Sequence, residues 1–180
     1  MNISKFTQKS VEILNNLEKI AYDFGAQEIA QEHLLYGMLT VEDSLIKKLI
    51  EKMEIDSDVF LAQVEGAVRK RPQVQGGQVY IGQDLNKVLV YAENEAKALG
   101  DEYVSVEHLF LSLLRKPSKE IKQLFHDFQI DRERFLQALS KVRGNQKVTT
   151  DNPEAVYDSL NKYGYDLVER AREKTMDHVI

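Results

Sequence analysis

The run Ile29-Ala30-Gln31-Glu32-His33-Leu34-Leu35-Tyr36-Gly37-Met38-Leu39 returns as Val104-Ser105-Val106-Glu107-His108-Leu109-Phe110-Leu111-Ser112-Leu113-Leu114. Both copies set Glu-His-Leu ahead of apolar residues at helical spacing, so the chain reads first as a duplication. His33 and His108 lie 75 positions apart, as do Gly25 and Gly100. At that offset Ile13, Leu14, Leu17, Ala21 and Phe24 become Val88, Leu89, Ala92, Ala96 and Leu99, while Ile46, Leu49 and Ile50 become Ile121, Leu124 and Phe125. The register does not slip.

Working outward from the first copy, Thr7 to Phe24 carries one apolar helical face, with Thr7 as N-cap and Gly25 as the residue that ends it. After the Glu-His-Leu helix, Asp43 is the expected cap of a third helix facing inward through Ile46, Leu49, Ile50 and Met53. Asp56 or Ser57 caps a fourth, buried through Phe60, Leu61, Val64 and Val68. Arg71 to Gln78, with Pro72 and the Gly76-Gly77 pair, breaks the periodicity and links the halves. The fold predicted is all-α: two tandem pseudo-symmetric four-helix units, repeat 1 about 6–70 and repeat 2 about 81–144, within a domain spanning 1–144.

Beyond Gly144 the polar residues 145–152 read as a linker, and Asn152-Pro153-Glu154 is a helix start. The stripe Val156, Leu160, Tyr163, Leu167 and Val168 is too thin to fold alone, so one or two short helices are expected there.

Composition narrows the function. The chain has 180 residues, 43% hydrophobic and 29% charged, with a net charge of −5 and both signs interspersed, which suits a globular core and offers no basic stripe for phosphates. No partner in nucleic acid or membrane is expected. No apolar run approaches the roughly 18 residues of a membrane span, and the start of the chain lacks the apolar core of a signal peptide. Cysteine is absent. The expected location is the cytoplasm.

Adjacent Glu and His invite a metal or catalytic reading. Neighbouring helical side chains diverge by about 100°, so Glu32-His33 does not chelate as a pair spaced by one turn would. With Ala30 and Ser105 as N-caps, Glu32 and Glu107 instead fall in the first helical turn and favour the helix dipole, while each His at the third position bonds inward. Ser105 suits a cap and Ala30 does not, so repeat 1 is expected to have the weaker helix start. None of His33, His108, His126 and His178 has a Ser or Asp partner at a justifiable spacing, and Gly76-Gly77 lacks the Lys-Ser/Thr of a phosphate loop. No catalytic residue, metal or cofactor is expected in this stretch, and it is not expected to be an enzyme by itself.

The paired units, each with Ala-x-x-x-Gly (Ala21 to Gly25, Ala96 to Gly100) followed by the Glu-His-Leu run, resemble the Clp N-terminal repeat of the Hsp100 ATPases over residues 4 to 144. Arg71-Pro72-Gln73-Val74-Gln75-Gly76, Gly100-Asp101-Glu102-Tyr103-Val104-Ser105 and the tail Tyr163-Gly164-Tyr165-Asp166-Leu167, Ala171-Arg172, Asp177-His178-Val179-Ile180 look most like the ClpB disaggregase branch. The resemblance implies a substrate-recognition domain that engages unfolded or aggregated polypeptide for a hexameric, ATP- and Mg-dependent ring cooperating with an Hsp70 system. Residues 153–180 would then begin the first AAA+ module. The family's substrate-binding surface positions match Thr7, Asp101 and Glu107. Related ClpC domains, which dock adaptors and read phosphoarginine for a protease, use positions matching Thr7 and Glu32; in repeat 2 the matching Thr position is Gly82. Tyr80, Ile81 and Tyr91 are further candidates, as the apolar floor of a groove between the repeats.

Overall fold

The computed structural model describes residues 3–74 and 76–159. Eight helices form the two repeats. In repeat 1 these are α1 (Gln8–Asp23), α2 (Gln31–Thr40), α3 (Leu45–Lys52) and α4 (Ser57–Arg69). In repeat 2 they are α5 (Gln83–Ala98), α6 (Val106–Arg115), α7 (Lys119–Asp127) and α8 (Arg132–Arg143). A ninth, α9 (Pro153–Ser159), follows, and the remaining tail residues from Leu160, including Tyr163 and Leu167, lie outside the described residues.

Local chemistry sets the helix ends. Thr7 is the N-cap of α1, its Oγ1 accepting the Ser10 N–H at 3.3 Å, and Asp56 caps α4 through the N–H groups of Asp58 and Val59. At Gly25 and Gly100 the chain turns through φ of 73° and 71°, a left-handed conformation that glycine adopts without a Cβ clash. One cap differs from expectation. Ser44, not Asp43, caps α3, accepting from the Lys47 N–H at 3.0 Å, because Asp43 itself occupies the left-handed turn with φ 55°.

The two repeats share one core. Leu34, Leu35 and Met38 of α2, Ile46, Leu49 and Ile50 of α3, and Leu109, Phe110 and Leu113 of α6 belong to a single buried cluster. The helix pairs cross over: α3 packs on α8 and α6, while α4 packs on α7. Phe110 stacks on Phe135 with centroids 4.4 Å apart, and Phe60 of repeat 1 meets Phe128 of repeat 2 edge-on at 5.0 Å.

Extended pairings that helical periodicity did not reveal complete the exchange. β1 (Glu28–Ile29) pairs in parallel with β2 (Tyr80–Ile81), and Phe6 bridges Val104. These are symmetry mates under the offset of 75, since Phe6 corresponds to Ile81 and Ile29 to Val104. The Thr7 N–H donates to the Val104 carbonyl, and the Gly82 N–H to that of Ile29, both at 2.9 Å. The segment entering each repeat thus pairs with the segment ahead of the Glu-His-Leu helix of the other. Gln31 adds a further stitch, donating to the carbonyls of Asp84 and Lys116 at 2.9 Å and accepting the Ser118 N–H at 2.8 Å.

Candidate functional site

The two Glu-His-Leu helices begin in the same way. The cap N–H of Ala30 donates to His33 Nδ1, and that of Ser105 to His108 Nδ1, each at 2.8 Å. A histidine ring thus does what a Gln or Glu does in a capping box. The weaker start expected for repeat 1 therefore does not appear in this bond. Ser105 Oγ is turned to a different task, donating to Glu107 Oε1. Because Nδ1 accepts, the neutral ring carries its proton on Nε2 in both copies.

From that shared start the copies diverge. In repeat 2, His108 Nε2 meets Asp101 Oδ2 at 2.6 Å, and Arg143 bridges the two acids, its Nη2 donating to Asp101 Oδ1 at 2.6 Å and its Nη1 to Glu107 Oε2 at 3.0 Å. The Val148 N–H also donates to Asp101 Oδ1 at 2.9 Å, and the Tyr157 hydroxyl to Glu107 Oε2 at 3.1 Å. All of these side chains are buried. Burial alone would raise the Asp101 pKa, but the bonds from His108 and Arg143 outweigh it and hold the carboxyl below its ordinary value. Burial opposes the charge on Arg143 as well, and its bond to Asp101 more than compensates. Burial, with Glu107 alongside, pushes the Tyr157 phenol upward, so it stays a donor.

In repeat 1 the partners are missing. The positions matching Asp101 and Arg143 are Ala26 and Val68, both buried and apolar. Glu32 is 1% exposed, yet neither carboxylate oxygen has a hydrogen-bond partner among the described residues, and His33 Nε2 has none either. Arg71 Nη1 stands 3.8 Å from Glu32 Oε2 while its Nη2 bonds Glu28 at 2.8 Å. Burial is the main cause of a raised Glu32 pKa, only partly offset by Arg71. Burial and then Arg71 lower His33 to about 4. Glu32 opens on a cavity of about 560 Å³ between α4 and α7, lined also by Gly66, Arg71, Lys119, Leu124 and Asp127.

The expected site residues therefore fall into four places. Asp101 and Glu107 come together through Arg143, buried rather than on the surface. Thr7 is also buried, a helix cap whose hydroxyl donates to Ser10 Oγ at 2.9 Å. Glu32 lies at the separate cavity. Tyr80, Ile81 and Tyr91 are exposed at 54%, 48% and 40%, on β2 and on α5, where Lys116 Nζ stands 5.0 Å from the Tyr91 ring centre. Sequence reasoning missed Arg143, Val148 and Tyr157. A signal for Arg143 existed: the repeat register sets it opposite Val68, a charge at a core-facing helical position. Among the described residues, no group of three or more His, Asp or Glu side chains is placed to hold a metal.

Comparison with known proteins places this arrangement. Residues 5–128 match the Clp repeat (R) N-terminal domain family. The whole chain aligns with the chaperone protein ClpB of Nitratidesulfovibrio vulgaris at 42% identity and with that of Bacillus cereus at 38%, covering 22% and 21% of those proteins. The chain thus spans about a fifth of the length of these curated relatives. Among solved structures, the Hsp104 N-terminal domain of Candida albicans superposes with a TM-score of 0.72 at 20% identity, over 82% of this chain and 97% of that one. The N-domain of ClpV in complex with a VipB peptide gives a TM-score of 0.62 at 20% identity, over 77% and 86%. The duplicated helical unit, its Glu-His-Leu helix starts and these matches together identify the chain as a member of the Clp repeat N-terminal domain family, most like the ClpB chaperones.

Proposed function

We propose that this domain recognises exposed segments of unfolded or aggregated polypeptide for a ClpB-like, ATP-driven disaggregase. The observation that carries the reading is the alignment of the full chain with the N-terminal fifth of ClpB chaperones. The exposed apolar side chains of Tyr80, Ile81, Val90 and Tyr91 are consistent with it, since unfolded clients offer apolar surface. In this reading residues 1–144 form the recognition domain, 145–152 the linker and 153–180 the start of an AAA+ module. ATP and Mg, the hexameric ring and cooperation with an Hsp70 system belong to the rest of that protein, whose catalysis this stretch does not perform. Fluorescence titration of the chain with a permanently unfolded polypeptide is expected to saturate, and Tyr80→Ser together with Tyr91→Ser is expected to weaken it several-fold. No saturable binding, with undiminished disaggregation after the domain is deleted from the full protein, would defeat the reading.

One observation favours a second reading, an adaptor-docking or phosphoarginine-binding domain of a ClpC-like unfoldase: the buried, unpartnered Glu32 at an open cavity. Calorimetry with free phosphoarginine decides it. Heats lost in Glu32→Ala would support it, and equally negligible heats for both proteins would remove it.

A further inference from the structure

After α8 the chain does not leave the domain. Gly144 turns with φ 57°, and the stretch that follows runs back over the repeat-2 pocket. Val148 is fully buried, its N–H on Asp101 and its carbonyl accepting the Glu102 N–H at 2.8 Å. Lys147 Nζ reaches the Leu99 carbonyl at 2.7 Å. The Asp151 carbonyl accepts the Gln8 N–H at 2.7 Å, and its carboxylate the Gln8 side-chain amide at 3.1 Å, so the stretch also touches the first turn of α1 in the other repeat. Pro153 and Tyr157 are buried, and the Tyr157 hydroxyl ends the path on Glu107. Residues 145–152, read from sequence as a polar linker, are tied down because their single aliphatic residue, Val148, finds an apolar seat beside Asp101, and the ring of Tyr157 in α9 finds another beside Glu107.

The path is also selective. Asp101 holds Val148, Glu107 holds Tyr157, and the residue after Thr7 holds Asp151. Gln8 of repeat 1 and Asp101 and Glu107 of repeat 2 share one strip of chain.

We propose that residues 147–157 are a built-in ligand of the repeat-2 Glu-His pocket, a latch that shuts this pocket and fixes how the chain departs from the domain. Asp101, Glu107 and Arg143 are then positioning residues that seat the latch. Glu107 is covered by the chain that leaves α8, whereas Glu32 lines a cavity that the chain leaving α4, at Arg71 and Pro72, only edges. The latch is held by hydrogen bonds and by two side chains of the core cluster, Val148 and Tyr157, whereas α6 packs directly on α5 and α8, so it opens without global unfolding. The inference is independent of what the domain recognises.

Hydrogen–deuterium exchange on the whole chain tests it. Tyr157→Phe keeps the ring and removes the hydroxyl. It is expected to speed exchange at the Gln8, Glu102 and Val148 amides about tenfold, the effect of losing one bond to a buried charged acceptor. Tyr157→Ala is expected to speed it further, while Leu109 and Leu139 in α6 and α8 exchange as in the parent. Val156→Ser, on the exposed side of α9, is the control and is expected to change nothing. Unchanged exchange at all three amides in both Tyr157 variants would overturn the latch. Equal acceleration in α6 and α8 would overturn it too, by showing that residues 147–157 do not open separately from the core.

Discussion

The two Glu-His pockets begin with the same bond and end with opposite electrostatics. His33 and His108 close their helix starts at 2.8 Å alike, yet Glu107 lies in a saturated network whereas the Glu32 carboxylate is buried with no hydrogen-bond partner among the described residues. Duplication preserved the backbone role of the motif and released its carboxylate to differ. The architecture depends on the histidine, and what each pocket can do depends on three positions outside the motif: Ala26 or Asp101, Val68 or Arg143, and the presence of Tyr157.

The harshest way to break the contrast is to remove the cation from each side. Arg143→Met leaves Asp101 and Glu107 buried without their countercharge and is expected to cost about 3–5 kcal/mol of stability in urea unfolding. Arg71→Met, at the partly exposed edge of the other pocket, is expected to cost less than about 1 kcal/mol. Similar losses for both would show that the pockets are not electrostatically different. Converting repeat 2 toward repeat 1 sharpens the point. Adding Asp101→Ala to Arg143→Val recreates the Ala26 and Val68 pair, and a double-mutant cycle is expected to return a coupling of about 2 kcal/mol.

The two acids are expected to answer pH with opposite signs. Burial raises the Glu32 pKa above its ordinary 4.5, so the stability linked to this group is complete below the unfolded value and is lost as pH rises through the folded one. Glu32→Gln is therefore expected to stabilise the chain by about 1 kcal/mol at pH 7 and to change little in acid. Asp101 is held below its ordinary 3.8, so its contribution is present above that value and is lost as pH falls through the lower folded one. Asp101→Asn is expected to cost about 2 kcal/mol at pH 7, fading in acid. Urea midpoints across that range check both, and a stabilising Asp101→Asn would refute the assignment.

The smallest test compares the entries to the repeats. Thr7→Ala is expected to cost about 1 kcal/mol for the lost cap of α1. Gly82→Ser is not expected to return that amount to α5, because a Cβ there would run into the Glu28 side chain and displace the carboxylate paired with Arg71. Thermal unfolding of the two variants separates these outcomes.

The helices and their offset were legible because periodicity and capping are local. Ile13, Leu17 and Ala21 announce a face, and Thr7 and Asp56 announce its start. Ser44 in place of Asp43 was not legible, since either residue caps a helix and only the left-handed turn at Asp43 decides between them. The two-residue strands carry no period at all. The network around Glu107 was hidden for a different reason: Arg143 is 36 residues from Glu107 and 42 from Asp101, and Tyr157 is 50 from Glu107, so only the folded chain places them together. Even so, an Arg facing a Val in the repeat register was a visible sign that repeat 2 had acquired a buried ion pair.

The reciprocal pairing of Phe6 with Val104 and of Ile81 with Ile29 bears on what a half-molecule would do. Under the offset the two pairings are one contact made twice, as in an isologous dimer with a two-fold axis. A single repeat has no internal partner for its own entering strand, and its third helix, which packs on α8 and α6, would face water. Cut within residues 71–78, the chain is expected to survive as two complementing fragments, each unfolded alone and folded when mixed. The intact protein is then a tethered dimer, and the tether is what allowed one half to close its pocket while the other kept an opening.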